Sequence, residues 1–340
     1  MILIKHHRGF TLLELLIVLF IIGTLAAASL SFIDQEGGQQ RYTDSIQRLN
    51  LITDAIVKVK NHSHNQQLIS GFVFDNGTLP EIAIATVDID PIQSLISDEG
   101  IWDNHATSPV SSWRDFGNQI PDYFKNDGTA VSLTAHTQFK GYRGPYLPTS
   151  LLDSSGKFRD LWNMPYELAL PSATSFSYTL GNVLSDNTTK KFESFNADVT
   201  RVTTADQWSV ALGALAFTVV NDTGAVISAG KKVSLIVFDN SLPRPWRTYQ
   251  FTLGEMAIGE TQSHGFGGTV ISTWSRNQYG SDATTFSQTT LTSGDADTMR
   301  IAIGSHLLIV MDESSDTVLA HTQVLLIPSS SIANITLKIG

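Results

Sequence analysis

Gly9-Phe10-Thr11-Leu12-Leu13-Glu14-Leu15-Leu16-Ile17-Val18-Leu19-Phe20 opens the stretch that decides how this chain is organised. From Phe10 to Ile33 it runs 24 residues with Glu14 as its only ionisable side chain. Coiled as a helix rising about 1.5 Å per residue, it crosses a hydrocarbon core of roughly 30 Å with a little to spare. Lys5 and Arg8 precede it, and Asp34 and Glu36 follow it. Positive flanks stay cytoplasmic, so the N-terminus is expected inside and the bulk of the chain outside. A cleaved secretory peptide would need an apolar core of only about 7–15 residues before its small-residue cleavage site. Ala26–Ser29 offer the small residues, but the run is too long. A carboxylate inside a spanning segment costs a few kcal/mol and marks a functional position by default. Glu14 therefore asks for a reason.

Gly9-Phe10-Thr11-Leu12-Leu13-Glu14-Leu15, on the basic leader Met1–Gly9 and ahead of an unbroken apolar run, resembles the processing motif of type IV prepilins and type II secretion pseudopilins. The resemblance implies cleavage after Gly9 by a membrane prepilin peptidase and methylation of Phe10 as the new N-terminal residue. It also implies packing of the apolar helices into a filament. Glu14 becomes the fifth residue of the processed chain, where family filaments set a glutamate against the terminal amine of a neighbouring subunit. Such a pairing would neutralise an otherwise partnerless buried charge.

Composition agrees with an exported protein. Of 340 residues, 42% are hydrophobic and 16% charged, with no cysteine and a net charge of −10. The charged share lies below the roughly 25% of ordinary soluble domains. Without cysteine there are no disulfides, thiolate metal sites or cysteine nucleophiles. The acidic balance provides no general source of phosphate neutralisation, so nucleic acid is not an expected partner. Loss of Lys5 and Arg8 with the leader leaves 20 basic against 32 acidic side chains, a net of −12.

Beyond the membrane stretch, Gly37-Gly38 costs a continuous helix about 1 kcal/mol per glycine, and a bend or short unwound segment is expected over Asp34–Gly38. Tyr42, Ile46, Leu49, Ile52, Ile56 and Val59 then recur every three or four residues, predicting an amphipathic helix over 39–60. His62-Ser63-His64 sits in a polar stretch and reads as a solvated turn. Asp75-Asn76-Gly77-Thr78-Leu79-Pro80 marks another turn and resembles the passage after the long helix of major pseudopilins. Residues 81–138 read as an insertion of loops and short helices with a small core of its own.

Gly144-Pro145-Tyr146-Leu147, followed by Asp160-Leu161-Trp162-Asn163-Met164-Pro165-Tyr166, is similar to a block of major-pseudopilin-like heads, where an Asp-x-Trp-x-x-Pro-Tyr turn leads into a strand. Leu161, Asn163 and Met164 depart from that pattern. The reading makes Asp160, Trp162, Pro165 and Tyr166 structural turn residues, with Asp160 bonding backbone amides and the aromatics plugging the turn into the sheet. Secretion-type heads also hold calcium just after this block. Here Asp186, with Asp198 later, would be the carboxylate ligands of an ion that takes six to eight oxygens. No other cofactor is expected.

After about Asn196 seven apolar or alternating stretches, Gln207–Val220, Lys232–Asp239, Thr248–Leu253, Gly268–Trp274, Arg300–Val310, Thr317–Ile327 and Ile332–Ile339, read as strands without intervening helices. They predict an antiparallel, sandwich-like domain. The expected fold is thus α+β: a leader (1–9), a transmembrane or filament-core helix (10–36), an antiparallel-sheet head (37–195) and an all-β sandwich-like C-terminal domain (196–340). No nucleophile elbow, phosphate loop or zinc-protease motif is present. Gly265-Phe266-Gly267-Gly268 lacks the strand–turn–helix context of a dinucleotide site, and His264 with Asp282 makes a serine trio only by chance. A non-enzymatic structural subunit is expected, held in the bacterial inner membrane and assembled into a periplasmic or surface filament. Its partners would be prepilin peptidase, other pilins and an inner-membrane assembly platform. Within that reading a minor subunit of a type II secretion-type filament stands ahead of a minor pilin or adhesin of a type IV pilus. The rival is a membrane-anchored carbohydrate-binding protein using Trp246, Trp274 or Tyr279.

Overall fold

A computed structural model of the chain describes residues 11–61, 67–80, 92–96, 117–161, 166–169, 178–182, 200–242, 244–265, 273–280, 284–328 and 335–340. It opens with one 45-residue helix, α1 (Leu12–Ile56). The helix is unbroken through Gly37-Gly38, where the sequence predicts a bend or an unwound segment. Two glycines weaken a helix, but an interruption would free backbone groups on both sides and require a second costly nucleation. Every residue of α1 from Leu12 to Leu30 is free of burial. In its second half Ser45, Leu49, Ile52, Ala55 and Ile56 are buried, repeating at three or four residues as the stripe requires. The helix ends at Ile56 rather than near Lys60. Val57 is extended, its N–H closing on the Thr53 carbonyl at 2.9 Å, and the chain continues as β1 (Lys58–Asn61), paired antiparallel with β2 (Gln67–Ser70).

A short helix α2 (Phe72–Asn76) follows. Of the stretch 81–138 expected as loops and short helices, 81–91 and 97–116 lie outside the described residues, Gln93–Leu95 is a short 3-10 helix, and from 117 on the expectation is corrected, since residues 117–140 form two antiparallel ladders. β3 (Gly117–Gln119) and β6 (Gln138–Lys140) pair around β4 (Asp122–Phe124) and β5 (Ala130–Ser132). Strands of three residues are too short to display an alternation, and their apolar partners come from a distant part of the chain. β7 (Tyr166–Ala169), β8 (Tyr178–Asn182) and β9 (Thr200–Thr203) make an antiparallel meander.

The rest is β-rich as the sequence predicts. In chain order come α3 (Ala205–Trp208), β10 (Ser209–Ala211), β11 (Ala216–Asn221), β12 (Lys232–Phe238), β13 (Trp246–Thr252), β14 (Thr261–Gly265), β15 (Trp274–Tyr279) and β16 (Phe286–Leu291). Then follow α4 (Ser293–Thr298), β17 (Arg300–Ala302), β18 (Gly304–Asp312), β19 (Thr317–Leu326) and β20 (Ile335–Ile339). Six strands pair antiparallel in the order β16-β15-β13-β12-β18-β19, and three more in the order β14-β11-β20. The pairing of β11 with β20 is parallel, Phe217 opposite Ile335, which departs from the all-antiparallel expectation. It follows from β20 joining a different sheet from β19, since a parallel neighbour needs a crossover and not a hairpin.

The central strands of the six-stranded sheet are buried on both faces. On one face Val233, Leu235, Val237, Tyr249, Phe251, Leu308 and Val310 join the large core that also takes in Leu49, Ile52 and Ile56 of α1. On the other, Ile236, Phe238, Trp246, Leu307, Ile309 and Met311 pack against Tyr123, Phe124 and Leu133. Double burial explains why β12 and β18 read as nearly continuous apolar runs instead of alternating ones.

Candidate functional site

The exposed first half of α1 is the outstanding surface of the molecule. Its 19 residues from Leu12 to Leu30 present leucine, isoleucine, valine and phenylalanine on every side. A helix apolar all round belongs in lipid or against other helices. Thr11 begins it as an N-cap in extended geometry, φ −74° and ψ 149°. Its hydroxyl accepts from the Glu14 N–H at 3.3 Å. Glu14 Oε2 in return accepts from the Thr11 N–H at 2.9 Å and from the Thr11 hydroxyl at 3.0 Å. This is a reciprocal capping box, and both returning bonds fall on one carboxylate oxygen. Gly9 and Phe10 lie outside the described residues.

The second half of α1 is fastened to the body by polar side chains as well as by its apolar stripe. Arg48 donates to the Arg159 carbonyl at 2.6 Å and to the Leu151 carbonyl at 3.4 Å, with its guanidinium 5.7 Å from the Phe158 ring centre. Asp153 holds that loop closed: it accepts from the Ser155 hydroxyl and the backbone amides of Ser155 and Lys157, and pairs with Arg159 at 2.9 Å. These bonds, the Ser155 hydroxyl foremost, hold its carboxyl down to about 2.

Of the turn residues, Asp160 and Tyr166 are both buried. Tyr166 opens β7, and its hydroxyl donates to the Ser45 carbonyl of α1 at 3.1 Å while its ring tilts against Phe158 at 5.9 Å. Tyr166 thus ties the start of β7 to the helix, where the sequence predicts that it plugs a turn into the sheet. Burial pushes its hydroxyl pKa up, with Asp160 adding to the effect. Trp162 and Pro165, and the calcium candidates Asp186 and Asp198, lie outside the described residues.

Two separate sequence signals meet in space. The Tyr146 hydroxyl donates to Asp75 Oδ2 and accepts from Asn76 Nδ2 and the Arg143 N–H, each at 3.1 Å. Arg143 also pairs with Asp75 at 3.2 Å. Asn76 reaches into the β domain, where the Asn240 side chain and N–H donate to its side-chain and main-chain oxygens, both at 2.8 Å. Gly77 follows at φ 68°, and an added Cβ there would stand 1.8 Å from the Phe238 carbonyl oxygen. Only glycine allows that close approach. Burial raises the Asp75 carboxyl pKa, opposed by Arg143, the Tyr146 bond and Lys140. Fully buried Lys140 donates to the Phe74 carbonyl at 2.7 Å, and burial brings its ammonium down to about 8. This arrangement fastens three chain segments together. The sequence reading passed over Arg48, Lys140 and Arg143. A basic residue inside an apolar helical stripe, as Arg48 is, was the available signal.

The chain matches the family described as the prokaryotic N-terminal methylation motif over residues 4–30, which span Gly9, Phe10 and Glu14. No curated protein and no solved structure matches it. The N-terminal motif supports a pilin-like prepilin-peptidase substrate anchored by a single apolar helix and assembling with other pilins.

Proposed function

We propose that the chain is a structural, non-enzymatic subunit of a type II secretion-type filament, cleaved after Gly9 and methylated on Phe10. It would serve as a minor or accessory member, anchored in the inner membrane with its β-rich bulk in the periplasm until an assembly platform recruits it. The observation that carries this reading is the all-round apolar, unburied helix from Leu12 to Leu30, headed by Glu14 and joined without a break to a helix half sewn into the body. Favouring the secretion-type filament over a type IV pilus is the meeting of Asp75-Asn76 with Tyr146. Those are the two segments through which the sequence resembles major pseudopilins. In a filament Glu14 would pair with a neighbour's terminal amine. A charge pair formed away from water gives register to packing that is otherwise only apolar.

The intact mass of the chain expressed with and without an active prepilin peptidase tests the processing. The expected result is loss of Met1–Gly9 and gain of one methyl group, and an unchanged mass overturns it. Glu14→Ala separates a filament subunit from a membrane-anchored carbohydrate binder. The variant should stay in the membrane yet fail to enter filaments, whereas an anchored binder would keep its activity. No cofactor is needed for this role. Calcium on Asp186 and Asp198 is ended as a candidate if calorimetric titration gives no heat and thermal unfolding does not shift.

A further inference from the structure

His136 and His321 reach one point of the surface from opposite ends of the sequence. His321 lies on β19, the last strand of the six-stranded sheet, directly opposite Ile309. Residues directly opposed in an antiparallel pair share a face. Ile309 is buried beneath the 121–133 hairpin, so His321 stands on the hairpin side, and it is exposed. His136 follows that hairpin in a turn whose N–H bonds the Leu133 carbonyl at 2.9 Å, and Leu133 is itself buried in the same core. The two imidazoles meet with centroids 4.2 Å apart and planes inclined at 52°. Among the described residues neither ring has a hydrogen-bond partner.

We propose that His136 and His321 form a two-imidazole seat for a tetragonal divalent transition cation, Cu2+ or Ni2+, with water or an external ligand filling the other positions. With one nitrogen of each ring turned to a common ion, the ring spacing selects the class. With metal–nitrogen bonds of about 2.0–2.1 Å, a bound ion lies roughly 3.2 Å from each ring centre. Centroids 4.2 Å apart then subtend an angle of about 80° at the ion, near the right angle of square-planar or octahedral neighbours. A tetrahedral pair would need centroids about 5.2 Å apart. Nitrogen ligands in tetragonal geometry select Cu2+ and Ni2+, with Cu2+ the tighter by the usual affinity order. Burial, and after it the His321 ring, holds His136 below the usual imidazole range.

Calorimetric titration of the full chain in detergent with Ni2+ tests the seat. The background carries His6, His7, His62 and His64 replaced by Asn, removing the paired histidines elsewhere in the sequence. One site is expected, weakened at least tenfold by either His136→Asn or His321→Asn. Thermal unfolding in the presence of a chelator shows whether the variants keep the parent fold. On the same background without further substitution, the Cu2+ electron paramagnetic resonance spectrum should carry coupling from two imidazole nitrogens. Affinity unchanged in the His136→Asn/His321→Asn double variant, or a spectrum lacking imidazole nitrogen, would overturn the proposal.

Discussion

Single residues hold the junctions of this molecule. Gly77 is the clearest, because its left-handed backbone and the Phe238 carbonyl leave no room for a side chain. Gly77→Ala is expected to destabilise the fold by about 2–4 kcal/mol, through backbone strain and a main-chain clash together. Chemical unfolding of the variant beside the parent measures it. His306 is fully buried, donates from Nε2 to the Ala302 carbonyl at 2.9 Å, and has its pKa lowered to about 3 by burial, with nearby Lys140 adding to the effect. An unfolded imidazole titrates near 6.5, so between those values the unfolded chain binds the extra proton. The stability His306 supports is complete above about pH 6.5 and is lost as the pH falls toward 3, by about 2–3 kcal/mol at pH 4.5. Melting temperatures at pH 7.5 and 4.5 should differ less in His306→Gln than in the parent, and an equal difference would remove His306 as a source. Neither role was legible in the sequence. Asp75-Asn76-Gly77 announced a turn, but its partners Tyr146 and Asn240 lie far along the chain, and spacing does not encode such distances.

Secondary elements were legible in proportion to how completely one chemistry fills them. The apolar run from Phe10 and the stripe from Tyr42 pointed to helix because each repeats one pattern over several turns. Lys232–Asp239 and Thr317–Ile327 were visible as strands, matching β12 and β19 to within a residue. Phe286–Leu291 was missed because Ser287, Gln288, Thr289 and Thr290 carry no apolar signal, as befits a strand at a sheet edge. Gln207–Val220 was expected as one strand but holds a helical turn, a three-residue strand and β11, since the capping box of Thr204 and Gln207 starts α3 instead. The exposed half of α1 shares no contact with either core, which fixes what its removal does. A chain lacking residues 1–30 should leave the membrane fraction and melt within about 2 °C of the full chain. Loss of folded structure would mean that the apolar half supports the body.

At the scale of the molecule, two cores share one sheet, and the larger runs from Leu49 on α1 through to Ile339 on β20. Segments on both sides of residue 196 contribute to it, Phe72 and Tyr166 alongside Val233 and Leu308. Calorimetry of the body should therefore show one unfolding transition, and two resolved peaks would mean that the residues before and after 196 fold independently. The unbroken course of α1 gives this body a mechanical character. A pull on the apolar end travels along the helix axis and arrives at Arg48 and Tyr166, where the rod is bolted to loop and strand. Between grip and bolt the weakest links are Gly37 and Gly38, each about 1 kcal/mol poorer than alanine at holding a helix. Under load that stretch gives way first. Ten residues paid out there lengthen from about 15 Å coiled to about 33 Å extended, so the tether gains slack while the body it carries stays folded.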